Sequence, residues 1–295
     1  TLPNAANEIN FKMKIDINRK FYDELSQDYR LIFDDWSKTV EKQGVILDNI
    51  IKKFSLLKSP TILDCSCGIG TQCLGLAHLG YKVTATDLSP RAVELAKEEA
   101  DKRGLHITFN VADFTKLKEQ VPGFYDCIIT CDNSIPHLLT DELLQMALDN
   151  VYSKLNNNGL FICSIRDYDK ILKEKPTNTN PTIKNFDQLR TISFQIWDWS
   201  KENTYCVNHF TLKGKDDNYQ THLRKTYYRA YQRDEISRVL SEVGFQNIIW
   251  LMPKESGYYQ PIVIANKPDV NKQSSRYQQL LAESGDKGNN NCRLS

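Results

Sequence analysis

Between Pro60 and Ile165 the chain alternates short apolar runs with amphipathic stretches, and glycine or proline marks many of the changeovers. Thr61 to Cys65 reads as a buried strand, followed by a Gly68/Gly70 loop and a helix to about Leu79, where Gly80 supplies the stop. Tyr81 to Thr86 is the next strand, ending at Asp87. Ser89-Pro90 then opens a helix that runs to Gly104, with serine as N-cap and proline in the first turn. Ile107 to Val111 and Tyr125 to Cys131 read as the third and fourth strands. Thr140 or Asp141 caps a helix ending near Asn158-Gly159, and Leu160 to Ile165 is the fifth strand. Parallel neighbours require crossovers, so this rhythm predicts a parallel, doubly wound α/β sheet.

The rhythm changes on either side. Thr1 to Lys12 shows little pattern, Met13 is a plausible native start, and residues 1–20 are expected to form a flexible extension. Phe21 to Trp36 is rich in aromatics, and Val40, Leu47, Ile50, Ile51 and Phe54 then build one face of a helix. After Asp169, residues 170–190 are rich in Lys, Asn and Pro and read as a loop or lid. Three runs with period-two patterning follow at Thr191–Trp199, Tyr205–Leu212 and Tyr219–Tyr228, an antiparallel meander. A helix over Arg233–Val243 and strands at Asn247–Leu251 and Pro261–Ala265 resume the sheet. From about Lys267 the chain turns polar, and 267–295 are expected to be disordered apart from a short helix around Tyr277–Leu281. The expected organisation is one domain over 21–266, with 170–228 as an inserted antiparallel β cap.

Composition narrows the options. Hydrophobic residues make up 40% of the chain, enough for a real core, yet no apolar run is long enough to span a bilayer and no signal-peptide pattern opens the chain. A cytoplasmic protein is expected, and a homo-oligomer is compatible with this composition. The 38 Lys and Arg balance 37 Asp and Glu, so no basic stripe points to nucleic acid and a small-molecule partner is favoured. Eight cysteines invite a metal or disulfide reading, but Cys65, Cys67 and Cys73 have no second pair at zinc-site spacing. Free buried thiols, and no metal, are expected.

The chemistry concentrates at the first strand-to-helix turn, Asp64-x-x-x-Gly68-x-Gly70. Open α/β sheets bind nucleotides at this edge, where glycines let the backbone approach the ligand. The spacing lacks the G-x-G-x-x-G pyrophosphate fingerprint. S-adenosylmethionine has no pyrophosphate but carries an ammonium group, which a carboxylate such as Asp64 can bind. Asp87 ends the second strand, where an acid accepts hydrogen bonds from both ribose hydroxyls. Asp113 and Phe114 end the third, where they can receive and stack on an adenine. Each strand-end acid could equally be a helix cap; their order along one sheet edge favours an S-adenosylmethionine site. Cys65, Leu88 and Cys131, beside those strand ends, complete that expected lining.

From Phe21 to Ala265 the sequence resembles the class I methyltransferases, and within them the glycine/sarcosine N-methyltransferase group. DCIITCDNSIPHL at 126–138 and IRDYD at 165–169 resemble that group's G-N-S-x-x-H-L and R-N-Y-D segments. The resemblance implies a Rossmann-like, seven-stranded, mostly parallel sheet with helices on both faces. It implies that Asn133 contacts the substrate carboxylate, that Arg166 clamps it through a bidentate fork, and that His137 lies near the methionyl part of the cofactor. The bland alternative for Arg166 is an ion pair with Asp167 or Asp169. The resemblance also brings N-terminal aromatics over the cofactor, for which Tyr22, Tyr29 and Trp36 are the candidates, since an aromatic face suits a sulfonium cation. Where the group often has an arginine soon after, Lys42 is the nearest basic residue. Two further departures stand out: Asp132 replaces the glycine before Asn133, and Asp167 replaces the asparagine after Arg166. Asp132 places a negative charge beside the carboxylate site, which selects either a cationic amine or an acceptor without a carboxylate.

The expected reaction is in-line transfer of a methyl group to the amine of a small molecule such as glycine or sarcosine, with Tyr168, Tyr227 and Tyr228 candidates to align the lone pair. Small-molecule O- or C-methylation, and a non-catalytic cofactor-binding role, remain alternatives on the same fold. Asp132-Asn-Ser-Ile135 lacks the double proline and aromatic of the loop that holds flipped nucleobases, against a DNA exocyclic-amine substrate.

Overall fold

The computed structural model describes residues 16–26, 35–186, 189–200 and 203–269. Helix α1 covers residues 16–25, so the boundary expected at residue 20 falls inside a helix. Residues 1–15, Tyr29 and the helix expected at 277–281 lie outside the described residues.

The remaining elements are α2 (Trp36–Phe54), β1 (Ile62–Asp64), α3 (Thr71–His78), β2 (Val83–Asp87), α4 (Pro90–Lys102) and β3 (Ile107–Val111). After a 3-10 turn come α5 (Leu117–Gln120), β4 (Tyr125–Thr130), α6 (Asp141–Lys154), β5 (Leu155–Ser164) and α7 (Tyr168–Glu174). Then follow β6 (Thr182–Phe186), β7 (Leu189–Trp199), β8 (Thr204–Lys215), β9 (Asn218–Arg229), α8 (Arg233–Val243), β10 (Gln246–Leu251), α9 (Pro253–Ser256) and β11 (Ile262–Asn266).

Seven strands form one sheet in the order β10-β11-β5-β4-β1-β2-β3. β11 runs antiparallel to both neighbours and the other pairs are parallel. The central strands are covered on both faces, so their residues are apolar throughout and alternate between two cores. Leu63, Ile128, Phe161 and Val263 point to the side of α6 and α8. Ile62, Ile129, Ile162 and Ile264 point to the side of α2, α3 and α4. The helix starts follow the chain's own caps: the Ser89 hydroxyl accepts from Ala92 N on α4, and Thr140 does so from Leu143 N on α6. On α2 the buried stripe includes Val40, Leu47, Ile50, Ile51 and Phe54. Its crossing with α3 is a backbone contact, because a Cβ on Gly75 would lie 2.5 Å from the Val40 carbonyl oxygen.

The antiparallel cap is a four-stranded sheet, β6-β7-β8-β9. Trp197, Tyr205, Val207 and Tyr228 from its inner face join the core beside α6 and α8. The segment 170–190, expected as a loop, instead contributes most of α7 and the edge strand β6, paired antiparallel with β7. Its lysines and asparagines suit a sheet edge, where polar side chains keep other chains from pairing. β5 begins at Leu155, five residues before the expected strand. Among the described residues no helix is long and apolar enough to cross a membrane, and no cluster of His, Cys, Asp and Glu could hold a metal. The seven described cysteines are free, six of them buried.

Candidate functional site

Two cavities meet at the carboxyl edge of the main sheet, and Tyr22 and Asp132 line both. The first is a cleft over the β1–α3 turn. Gly70 sits there at φ 100°, a left-handed conformation that glycine adopts without strain, and its backbone N donates to Cys67 O at 2.8 Å. The Asp87 carboxylate ties the turn from β2, accepting from Gly68 N at 2.8 Å and from Ser89 N at 2.9 Å. Burial pushes the Asp87 carboxyl up, against these two hydrogen bonds. Cys65, Gly68, Leu88, Phe114, Cys131 and His137 also line the cleft.

Helix α1 covers this cleft. Its Asp23 accepts from Ser89 Oγ at 2.5 Å, and its Asn18 Oδ1 accepts from Thr226 Oγ1 at 2.7 Å. Tyr22 Oη lies 2.8 Å from His137 Nε2. Burial pushes the His137 imidazole down to about 3, so the ring is neutral and can accept the tyrosine proton.

Four expected cofactor residues stand outside this lining. Trp36 is buried at the start of α2, where its Nε1 donates to Thr71 Oγ1 at 3.2 Å and Arg103 lies over its ring. Packing between α2 and α3 claims it. The Asp113 carboxylate caps the turn after β3, accepting from Thr115 N and Oγ1 at 2.9 and 2.7 Å. Gly70 shapes the turn without lining the cleft. Asp64 is fully buried; its Oδ1 accepts from Ser66 N at 3.3 Å, while Oδ2 has no hydrogen-bond partner among the described residues. Burial pushes its carboxyl up to about 8.

The second cavity has a volume of about 550 Å³ and lies between α1, α2, the inner face of the cap and the loop before β11. Asn133 and Arg166 face it, as does Lys42, which is absent from the cofactor cleft lining. Asn133 adopts φ 70°; its Oδ1 accepts from Arg166 N and from the Tyr168 hydroxyl, both at 3.1 Å, and its buried Nδ2 has no partner among the described residues. Arg166 Nη1 donates to Tyr205 Oη at 3.1 Å, and the guanidinium lies 5.0 and 5.3 Å from the Trp197 and Tyr228 ring centroids. No carboxylate is within ion-pairing distance of it among the described residues. Asp167 instead caps α7, and Asp169 pairs with Arg233. Tyr168 itself is buried and outside both cavities, holding Asn133 and Tyr205 rather than facing a ligand.

Asp132, at φ 57°, is the hub of a network that sequence reasoning missed. Its Oδ1 accepts from Tyr258 Oη at 2.6 Å and Tyr259 Oη at 2.8 Å, and its Oδ2 from Gln72 Nε2 at 2.7 Å. Gln43 Oε1 lies 2.6 Å from Gln72 Nε2 and 2.9 Å from Tyr258 Oη. The sequence signals were Asp132 itself, standing where the resembling group has glycine, and the Gly257-Tyr-Tyr-Gln-Pro261 run.

Residues 62–159 match the family model of the methyltransferase domain. A glycine/sarcosine N-methyltransferase from Halorhodospira halochloris is 28% identical over 223 residues, 72% of this chain and 75% of that protein. The human glycine N-methyltransferase is 31% identical over 137 residues, 42% of this chain and 45% of that protein. Among solved structures, a sugar N-methyltransferase from Streptoalloteichus superposes with a TM-score of 0.69 at 11% identity, over 82% of this chain and 93% of that one. An S-adenosylmethionine-dependent methyltransferase from Clostridium acetobutylicum gives 0.65 at 16% identity, over 84% and 98%. Residues 62–159 thus resemble a methyltransferase domain, and the chain shares the Rossmann-like fold of the S-adenosylmethionine-dependent methyltransferases. Within the class it resembles the glycine/sarcosine N-methyltransferases.

Proposed function

We propose that this protein methylates the amine nitrogen of a small carboxylate-bearing acceptor such as glycine or sarcosine. The observation that carries the reading is Arg166, a guanidinium without an acidic partner among the described residues, facing a cavity together with the unpartnered Asn133 Nδ2. A buried cation and a buried amide donor left open together suit a carboxylate, which takes both.

The residues of the cleft fit S-adenosylmethionine. Asp87, Leu88 and Phe114 line it and suit the ribose hydroxyls and the adenine, while Asp64, buried behind the turn and outside that lining, offers through its open Oδ2 acidic chemistry suited to the ammonium group. When bound, the cofactor supplies a methyl group already activated by its sulfonium. The chain then contributes mainly position and exclusion of water. Arg166 and Asn133 fix the acceptor's carboxylate end, Tyr228 and Tyr22 wall the cavity, and α1 closes over both ligands. Tyr227, on the opposite face of β9 from Tyr228, has no part in this.

The test is calorimetric binding of S-adenosylmethionine, followed by a screen for S-adenosylhomocysteine release across glycine, sarcosine, other amines and hydroxy acids. Turnover with glycine or sarcosine, lost in Arg166→Ala through a raised KM, is expected. Turnover with hydroxy acids alone would replace amine methylation by O-methylation, and glycine turnover unchanged in Arg166→Ala would remove the clamp.

A further inference from the structure

We propose that Asp132 binds the acceptor's amine as an ammonium and takes its proton, making the substrate a zwitterion held between Asp132 and Arg166. This inference rests on the amine-methylation reading above. Three observations carry it.

Asp132 stands where the two cavities join, the place at which an acceptor nitrogen must meet the cofactor's methyl group. No basic side chain pairs with it among the described residues, although it is deeply set and surrounded by polar donors. A carboxylate in such a place calls for a cation from outside the chain. The cavity thus presents the Asp132 carboxylate opposite Arg166 and Lys42, with no ion pair made by these three among the described residues, a pattern complementary to an amino acid.

The network around Asp132 is also built for two protonation states. Tyr258 has one hydroxyl proton and two acceptors within reach, Asp132 Oδ1 at 2.6 Å and Gln43 Oε1 at 2.9 Å. With Asp132 ionised, the proton of Tyr258 points to the carboxylate. With Asp132 protonated, the carboxyl can donate to Tyr258 Oη, and the tyrosine proton turns to Gln43. The network stays satisfied either way, unlike one evolved to hold a permanent charge. In the step itself an N–H bond of the ammonium breaks, its electron pair stays on nitrogen, and the proton forms an O–H bond on the carboxyl. The nitrogen is left neutral with the lone pair that methylation needs.

Other ionisable groups face Asp132. Tyr258 and Tyr259 approach from the loop before β11, Asp64 and Cys131 from the strand ends, and Lys42 and Arg166 across the cavity. Burial pushes the Tyr258 hydroxyl and the Cys131 thiol up, keeping both neutral. Burial raises the Asp132 carboxyl too, while the hydrogen bonds from Tyr258, Tyr259 and Gln72 pull it down.

The experiment compares wild type with Asp132→Gly and Tyr258→Phe. Glycine suits position 132, because φ there is 57°, a conformation glycine adopts without strain. With glycine or sarcosine as acceptor, wild-type kcat/KM is expected to fall at low pH as Asp132 takes up a proton, to stay level from there to the amine pKa, and to fall above it, since the ammonium is the form bound. Asp132→Gly must wait for free amine, so its kcat/KM should climb tenfold per pH unit up to that pKa. Calorimetry of glycine on the S-adenosylhomocysteine complex at pH 7 should show affinity at least about tenfold weaker in Asp132→Gly. In Tyr258→Phe the carboxylate loses a donor, so the acid limb of the profile should move to higher pH. Superimposable profiles for wild type and Asp132→Gly would overturn the inference and leave amine methylation standing. Weakened S-adenosylmethionine binding with unchanged glycine affinity would also overturn it, assigning the carboxylate to the sulfonium. Failure of wild type to methylate any amine would remove both readings.

Discussion

The Tyr168 hydroxyl donates to Asn133 Oδ1 at 3.1 Å, and this contact decides which end of the Asn133 amide faces the acceptor cavity. With Oδ1 also accepting from Arg166 N, the donor end is left open. Tyr168 therefore acts through Asn133. Tyr168→Phe is expected to cost about 1–3 kcal/mol of stability from two lost buried hydrogen bonds, to Asn133 and to Tyr205. Acceptor KM should rise roughly fivefold as the amide loses its fixed orientation, while S-adenosylmethionine affinity holds. Urea denaturation, steady-state kinetics and calorimetry check the three parts separately. A weakened S-adenosylmethionine affinity would put Tyr168 in the cofactor site instead.

Trp36 gives the opposite expectation from the one its aromatic character suggested. It is buried between α2 and α3, with its indole N–H on Thr71. Trp36→Phe should lose that hydrogen bond and part of the packing, about 1–3 kcal/mol by denaturant unfolding. Binding of S-adenosylmethionine, measured by calorimetry, should stay within about twofold of wild type, because no ligand contact is removed. A tenfold loss would return Trp36 to the cofactor.

The contrast between these residues shows what the sequence could reveal. Strand β3 and helix α8 fall on the predicted residues, because periodicity and capping are local and nothing tertiary overrides them. The turn from Asp64 to Gly70 was legible because glycine spacing reports backbone geometry. Which way a strand-end acid points was not: Asp64 turns inward, Asp87 onto the turn, and Asp113 onto its own helix cap. Least legible was the Asp132 network. Gln43 and Gln72 are single polar residues on separate helices with no spacing to betray them, and Tyr258 comes from a third, distant segment. Residues 170–190 misled for a related reason, since the polar composition of an edge strand resembles that of a loop.

Asp87 holds the glycine turn and is placed for the ribose, so Asp87→Ala combines two losses. The Gly68 and Ser89 amides lose a charged acceptor, and the cofactor loses its hydroxyl acceptor. S-adenosylmethionine affinity is expected to fall at least about a hundredfold, since hydrogen bonds to charged groups contribute about 1.5–3 kcal/mol each. Calorimetry reads this directly. A loss below threefold would mean that the ribose sits elsewhere.

His137 makes stability depend on pH in a particular direction. Its folded-state value is pushed down to about 3 from an ordinary 6.5 by burial. Between those values the unfolded chain binds a proton that the folded chain refuses, so this contribution is complete above pH 6.5 and is lost as pH falls toward 3. In His137→Gln the contribution is absent. The stability difference between pH 7 and pH 5, from urea midpoints, should therefore be smaller in the variant than in wild type. An equal difference would show that His137 is not held neutral by the fold.

Asp64 runs the other way. Its folded-state value is pushed up to about 8 from 3.8 by burial. From about pH 4 to pH 8 the folded chain keeps a proton that the unfolded chain has released, so stability declines as pH rises through that window. Asp64→Asn carries no such charge, and its Tm relative to wild type should climb across the window and level off above pH 8. The same substitution removes the acid proposed for the cofactor's ammonium group, so S-adenosylmethionine affinity should fall even as relative stability rises. Calorimetric scans at pH 5, 7 and 8.5 without ligand, with binding isotherms at pH 8.5, measure both. A Tm difference independent of pH would mean that Asp64 ionises in the folded chain as readily as in water, and its burial would then have to be offset by a partner other than the Ser66 amide.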